Sequence, residues 1–332
     1  VALQEFAKQR PELLLVDLCM PRMGGQELLV ALAKLAPEIP SIVITANKAM
    51  SDVVDALRHG AWDYLMKPLT DLQLLSQAMR DCLLEAGNAM PSEGHGVTNL
   101  HLSELLSDGN AQQTLQQDRA TAQMVQSQLF PAANVDFSGG HFGYTLYKTD
   151  VISDRFCDGF LVGEHHFCFY LAKFSPAATL NAFISVLIRS FFNQKLKRYR
   201  QGGSQAILAP YNMLGYLNEQ LVKSGLPCQI DMIYGCIDLR SQRVSLARYG
   251  QQVKPYLYSA GQLAPLLMAT TATLGSQSQH QAVCHYRDLQ RGQAIVLAEG
   301  DGQASDLILS QHALGVVMGS SLSAALCVQL AL

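Results

Sequence analysis

Short apolar runs alternating with amphipathic stretches constrain the first 85 residues more than any other feature of the chain. Residues 13–17 (LLLVD) are apolar up to an acidic end, and 41–45 (SIVIT) form a second such run. Residues 64–66 make a third, shorter one before Lys67 and Pro68. Between them, Leu28, Leu29, Leu32 and Leu35 lie on one face of a helix, as do Val53, Val54 and Leu57 within 50–59, which Gly60 closes. A last helix is expected over 71–84. Strands separated by helices at this spacing predict a parallel, doubly wound α/β sheet.

In such a sheet, functional groups collect at the C-terminal ends of the strands. Asp17, Thr45 and Lys67 all fall there. A carboxylate can take a phosphoryl group as an aspartyl phosphate. A hydroxyl can hydrogen-bond the new oxygens, and an ammonium can pair with their charge. Each residue alone has an ordinary explanation, as cap, strand end or solvated cation; the combination does not. The run VDLCMPRMGG, the later IT and the KP pair resemble the receiver domain of response regulators over 1–85. The resemblance implies Asp17 as phosphoacceptor, Thr45 as switch hydroxyl and Lys67 as phosphate partner. A sensor histidine kinase or small phosphodonor would supply the phosphoryl group, with magnesium as cofactor. Receivers open with a strand whose acidic pair holds that magnesium, and the stretch before Asp17 is too short for it. The chain begins at Val1, so the expectation is a receiver truncated at its N-terminus, with Asp17 its remaining magnesium contact.

The chain has 332 residues, 49% apolar and 15% charged, which is enough for two globular domains. A net charge of -3 gives no electrostatic footing for nucleic acid. No apolar run has the length of a membrane span. Eight cysteines without a CxxC pair are expected to be buried reduced thiols of a cytoplasmic protein. Residues 86–130 are expected to be a linker, rich in Gly, Ser, Asn and Pro at first and then helical over 111–129. Leu115, Ala122 and Leu129 recur every seventh residue, which suits either a short coiled coil, and so a homodimer, or one helix packed on a domain. Pro131 ends the helix.

Beyond it, strands are expected at 159–162, 167–172, 232–239, 243–247, 256–258 and 294–297, with helices over 177–199 and 210–223. That is an α+β layered domain over 131–332. His165 and His166 fall in an expected hairpin turn and cannot readily share a metal, because neighbours on a strand face opposite ways. The cations of KLKRYR, 195–200, end the first long helix and complement its dipole.

QSQLFP (126–131), ISDRFCDGFLV (152–162), FCFYLAKFS (167–175), TATLG (271–275) and GQAIVLAEGDG (292–302) resemble, in order, the SpoIIE-like metal-dependent serine/threonine phosphatases of the PPM type. These enzymes hold two divalent cations with carboxylates. At the matching positions stand Arg155 after Asp154, then Lys173, then Glu299 or, with a slip, Asp301. Two cations within a dimetal site would repel metal. The alternative is that Asp154, Asp158, Asp301 and Asp306 regroup around manganese or magnesium. A receiver joined to such a domain resembles the adaptor response regulators that hand a sigma factor to a protease. The implied function is phosphorylation-controlled protein binding by a pseudophosphatase, with a sigma factor and a protease as partners. The alternative is a receiver-gated phosphatase acting on an anti-sigma antagonist.

Overall fold

The computed structural model describes residues 2–18, 20, 23–36, 39–45, 56, 61, 63–67, 75–76, 78–80, 82–83, 119–175, 178–200, 202–224, 226–269, 272–276, 283–300, 313–319 and 323–330. The expected helix over 50–59, most of that over 71–84, the first half of the linker helix, Asp301 and Asp306 lie outside them. The chain divides into two compact units. One holds 1–121 with 189–204 and 223–225; the other holds 122–188, 205–222 and 226–332.

In the first unit, helix α1 (Ala2–Lys8) precedes β1 (Leu14–Asp17), α2 (Gly25–Leu35), β2 (Ser41–Thr45) and β3 (Asp63–Met66). The strands pair in parallel in the order β1-β2-β3. Ile42, Val43 and Ile44 are buried along β2, as expected of a central strand of a parallel sheet covered on both faces. Ile42, Ile44, Leu65, Ala78 and Cys82 form one apolar cluster on this sheet.

In the second unit two sheets face each other. Sheet I comprises β4 (Asn134–Phe137), β5 (Gly140–Lys148), β10 (Lys254–Ser259), β11 (Gln262–Pro265), β13 (Ala294–Glu299), β14 (Gly315–Met318) and β15 (Ala324–Leu330). Its order is β11-β10-β13-β15-β5-β14, with β4 also on β5. Sheet II is antiparallel throughout, in the order β12-β9-β8-β7-β6. It is built from β6 (Arg155–Val162), β7 (His166–Ser175), β8 (Gln229–Asp238), β9 (Arg243–Tyr249) and β12 (His285–Asp288). The expected turn between β6 and β7 covers 163–165, and His166, expected within it, instead opens β7 opposite Val162.

Strand alternation sorts the side chains into layers. Phe142, Tyr144 and Leu146 of β5, Phe167, Phe169 and Leu171 of β7, Ile233 and Ile237 of β8, and Ile295 and Leu297 of β13 form the core between the sheets. Burying such side chains is worth about 1.5–3 kcal/mol each and is the main drive for closing the sandwich. The other face of sheet II carries Cys168, Tyr170, Tyr234 and Cys236, also buried. Tyr234 Oη donates to the Ile207 carbonyl at 2.5 Å, which ties the 3-10 turn Ala206–Leu208 to that face. Helices α3 (Arg119–Leu129, in this unit from Ala122), α4 (Ala178–Arg200, in this unit up to Ile188) and α5 (Pro210–Lys223, in this unit up to Val222) complete the α+β layered architecture. Helix α5 buries Met213, Leu214, Leu217 and Leu221 along one stripe. Among the described residues, no helix is long and apolar enough to cross a membrane.

The described cysteines make no disulfide, and all are buried but Cys284. Burial pushes the Cys157 thiol up, Cys228 to about 11 and Cys327 to about 12, so almost no thiolate is present at neutral pH. In a Cys19→Ser background, a thiol reagent at pH 8 is expected to label Cys284 first, and the buried thiols only on unfolding. Rapid labelling of Cys228 or Cys327 in the native protein would contradict this burial.

Candidate functional site

Two charged clusters stand out, one in each unit. In the first, the parallel register brings three strand ends together. Asp17 closes β1 opposite Ile44, Thr45 closes β2 opposite Met66, and Lys67 follows β3 directly. The Lys67 N–H donates to the Thr45 carbonyl at 2.8 Å, continuing the ladder by one bond. Lys67 Nζ donates to Asp17 Oδ2 at 2.5 Å. The two side chains are 43% and 31% exposed, so the pair holds only weakly, by about 1 kcal/mol or less. Its lysine can therefore turn readily to a new anion. Thr45 is fully buried beside them. Gly25 closes the same end: its N–H donates to the Leu18 carbonyl at 3.1 Å. The parallel register thus brings the sequence-predicted trio, a carboxylate, a hydroxyl and an ammonium, to one end of the sheet.

The second cluster lies at one end of the sandwich, between its sheets. Arg155 opens β6, and its cross-strand partner is Lys173 of β7. Lys173 continues the inward row of Phe167, Phe169 and Leu171, and Glu299 continues that of Ile295 and Leu297. Arg155 Nε donates to Glu299 Oε2 at 2.5 Å and its NH2 group to Oε1 at 3.2 Å, a two-pronged bond across the sandwich. The NH1 group donates to Asp154 Oδ1 at 2.7 Å and to the Tyr147 carbonyl at 3.2 Å. Lys173 Nζ donates to Asp154 Oδ2 and lies 4.0 Å from Glu299 Oε1. The Arg155 side chain is 2% exposed, those of Lys173 and Glu299 13%, and that of Asp154 39%.

The cluster therefore holds two cations and two carboxylates and is neutral as a set. Asp154, Arg155, Lys173 and Glu299 meet, as gapless matching of the motifs implies. Asp158 does not join them. It is three residues on from Arg155, so strand alternation points it to the opposite face, where its carboxylate accepts the Gly159 N–H at 2.9 Å. Asp231, opposite Lys173 on β8, spends its carboxylate on the backbone N–H groups of Gln251 and Gln252. No group of three or more His, Cys, Asp or Glu side chains among the described residues could hold a metal ion. The donor set present does not fit two divalent cations, because the acids that would bind them already neutralise Arg155 and Lys173.

Sequence reasoning missed a third feature. The buried Gln126 side chain of α3 bonds to both backbone groups of Ser153, the residue before Asp154. Nothing in a single sequence marks a contact between residues 27 positions apart.

Residues 1–79 match the family described as response regulator receiver domain. The chain therefore carries a response regulator receiver domain over its first 79 residues, followed by an α+β layered domain. Its likeness to known proteins runs past the receiver. It is 27% identical over 237 residues to the Regulator of RpoS of Escherichia coli strain K12, covering 70% of this chain and 66% of that protein. The match thus spans just under two thirds of the relative's length. The regulatory protein LuxO of Vibrio cholerae is 37% identical over 67 residues, 20% of this chain and 15% of that one. Among solved structures, the SiaA-PP2C domain of Pseudomonas aeruginosa superposes with a TM-score of 0.46 at 12% identity, covering 66% of this chain and 98% of that domain.

Proposed function

We propose that phosphorylation of Asp17 controls a catalytically silent phosphatase-like output domain that works by binding another protein. The observation that carries the reading is the neutral cluster of Asp154, Arg155, Lys173 and Glu299. A phosphatase of this type needs uncompensated carboxylates to concentrate two divalent cations, which then activate water. Here an arginine and a lysine take up that negative charge. In the receiver, Asp17 is the nucleophile toward a histidine kinase's phosphoryl group or a small phosphodonor, with magnesium as cofactor. Thr45 and Lys67 then hold the phosphoryl oxygens. The likeness to the Regulator of RpoS supports a protein of the RpoS kind as the partner; a sigma factor handed to a protease is what the resemblance to adaptor response regulators implies. Helix α3 is the element that carries the change. Its Ala122 packs on Ile152 and Ala182 and its Leu129 is buried, so two of the three heptad positions are occupied within the chain, which favours the packed-helix reading of the linker over a coiled-coil dimer. The proposed division is receiver 1–85, linker 86–130 and output domain 131–332.

The deciding experiment is manganese-dependent hydrolysis of a phosphoserine substrate by the full chain, beside calorimetric titration with manganese. The expected result is no turnover, and no binding at the output domain in an Asp17→Asn background. Turnover that disappears in Asp154→Asn or Asp301→Asn would make this a receiver-gated phosphatase instead. Affinity for a sigma factor should then be compared with and without beryllofluoride, a phosphoryl mimic. Equal affinity in both conditions would defeat receiver control.

A further inference from the structure

Among the described side chains of helix α3, that of Gln126 hydrogen-bonds the residue that leads into the charged cluster. Gln126 is 2% exposed. Its Oε1 accepts the Ser153 N–H at 2.7 Å and its Nε2 donates to the Ser153 carbonyl at 2.9 Å. The amide thus pairs with Ser153 as a neighbouring strand would, satisfying both of its backbone groups. Nε2 also lies 3.3 Å from Ser185 Oγ on α4, whose hydroxyl donates to the Asn181 carbonyl. Ser153 is fully buried and leads straight into the cluster. Its Oγ accepts the Arg155 N–H at 3.1 Å, and the Asp154 carbonyl accepts the Phe174 N–H at 2.8 Å, one residue past Lys173. The three residues that carry the bonds of the cluster on this side are therefore positioned by a segment whose own backbone partner sits on the linker helix.

We infer that Gln126 is a latch. Docked, it fixes the 153–155 segment and hence the geometry of Asp154 and Arg155; released, it frees both α3 and that segment. The chemistry suits a reversible contact. When α3 leaves, water can take up every bond that Gln126 made, so neither side is stranded with an unmet polar group. Among the described side chains, α3 gives up only Ala122 and Leu129 as buried apolar contacts. An element held by a satisfiable polar pair and, among its described side chains, two buried apolar contacts is one that a modest input can shift between two states. Gln126 is a positioning residue here and touches no substrate. The inference rests on the reading of α3 as the receiver's output element, and it names the contact by which that output reaches the cluster.

The test is amide hydrogen exchange of the full chain at single-residue resolution. In Gln126→Ala, the amides of Ser153, Arg155 and Phe174 are expected to exchange about tenfold faster. The amides of the β10–β11 ladder, which carries no residue of the cluster, should keep wild-type rates. Gln126→Glu retains an acceptor for the Ser153 N–H but loses the donor, and should fall between the two. Acceleration at Ser153 alone would reduce Gln126 to a local cap, and acceleration throughout the ladder would make it an ordinary core residue; either result overturns the latch. Beryllofluoride added to the wild type should reproduce the Gln126→Ala pattern and add nothing to the variant. If the variant pattern appears but beryllofluoride has no effect, receiver control fails and the latch stands.

Discussion

Replacing Arg155 with methionine is expected to cost the second unit about 3–5 kcal/mol, among the largest single losses available in it. The guanidinium is buried, and it bonds Glu299 twice, Asp154 once and the Tyr147 carbonyl once. Methionine fills much of the volume but leaves the Glu299 carboxylate in the sandwich, 13% exposed, with only Lys173, at 4.0 Å, as a cation among the described residues. For a unit of this size the loss corresponds to a fall in Tm of roughly 10 °C by differential scanning fluorimetry. Pairing the change with Glu299→Gln should recover part of the loss, because the stranded charge is the main penalty. Removing both cations, in Arg155→Met with Lys173→Met, leaves two carboxylates unopposed. In an Asp17→Asn background, which removes the receiver's metal contact, manganese should then raise the Tm of the double variant, because it would bind only the folded state, while leaving the protein with the wild-type cluster unmoved. An Arg155→Met protein that melts with the wild type would show that the cluster holds nothing. Manganese that stabilises the double variant and the protein with the wild-type cluster equally would show that the cations do not displace metal.

How much of this was legible from residues alone depends on the kind of contact. The strands β1 and β2 could be read because a buried parallel strand is an unbroken apolar run, and the helix expected over 210–223 matches α5 residue for residue. Strands β5 and β15, at the centre of sheet I, could not. GHFGYTLYK breaks its apolar positions with glycines and polar residues, and AALCVQL consists largely of small side chains that suit helix as well as strand. Their burial comes from neighbours distant in sequence: β5 pairs with β15 across residues 140–146 and 324–330. The same distinction separates the sites. Asp17, Thr45 and Lys67 converge because parallel topology alone aligns the ends of consecutive strands. Arg155, Lys173 and Glu299 could be placed only through the family's motif order. That order also left open a slip from Glu299 to Asp301, and it is Glu299 that continues the inward row of β13. The Gln126 contact with Ser153 belongs to tertiary packing and has no periodic or compositional trace.

The paired glycines after Asp17 provide the second large effect, because they do different jobs. Gly25→Ala is expected to destabilise the first unit by about 2–4 kcal/mol, whereas Gly24→Ala should be nearly neutral. A Cβ on Gly25 would lie 2.2 Å from the Asp17 carbonyl oxygen and 2.7 Å from Leu18 Cα. Both are backbone atoms, which no rotamer change can move aside. A Cβ on Gly24 meets nothing within 4 Å. Gly24 is the N-cap of α2, with extended backbone and no side-chain cap, so Gly24→Ser should be neutral or stabilise by a few tenths of a kcal/mol. The consequence for function follows from what Gly25 touches. The strand end that it crowds carries the Asp17 carboxylate toward Lys67 Nζ, and pushing that backbone away separates the acceptor from its cation. Phosphoryl uptake from acetyl phosphate, followed by mass spectrometry at a temperature where the variant remains folded, should fall at least as far as in Lys67→Ala. Gly24→Ala should retain wild-type uptake. Full uptake in a folded Gly25→Ala protein would mean that the close approach of α2 to β1 does not set the geometry of the acceptor.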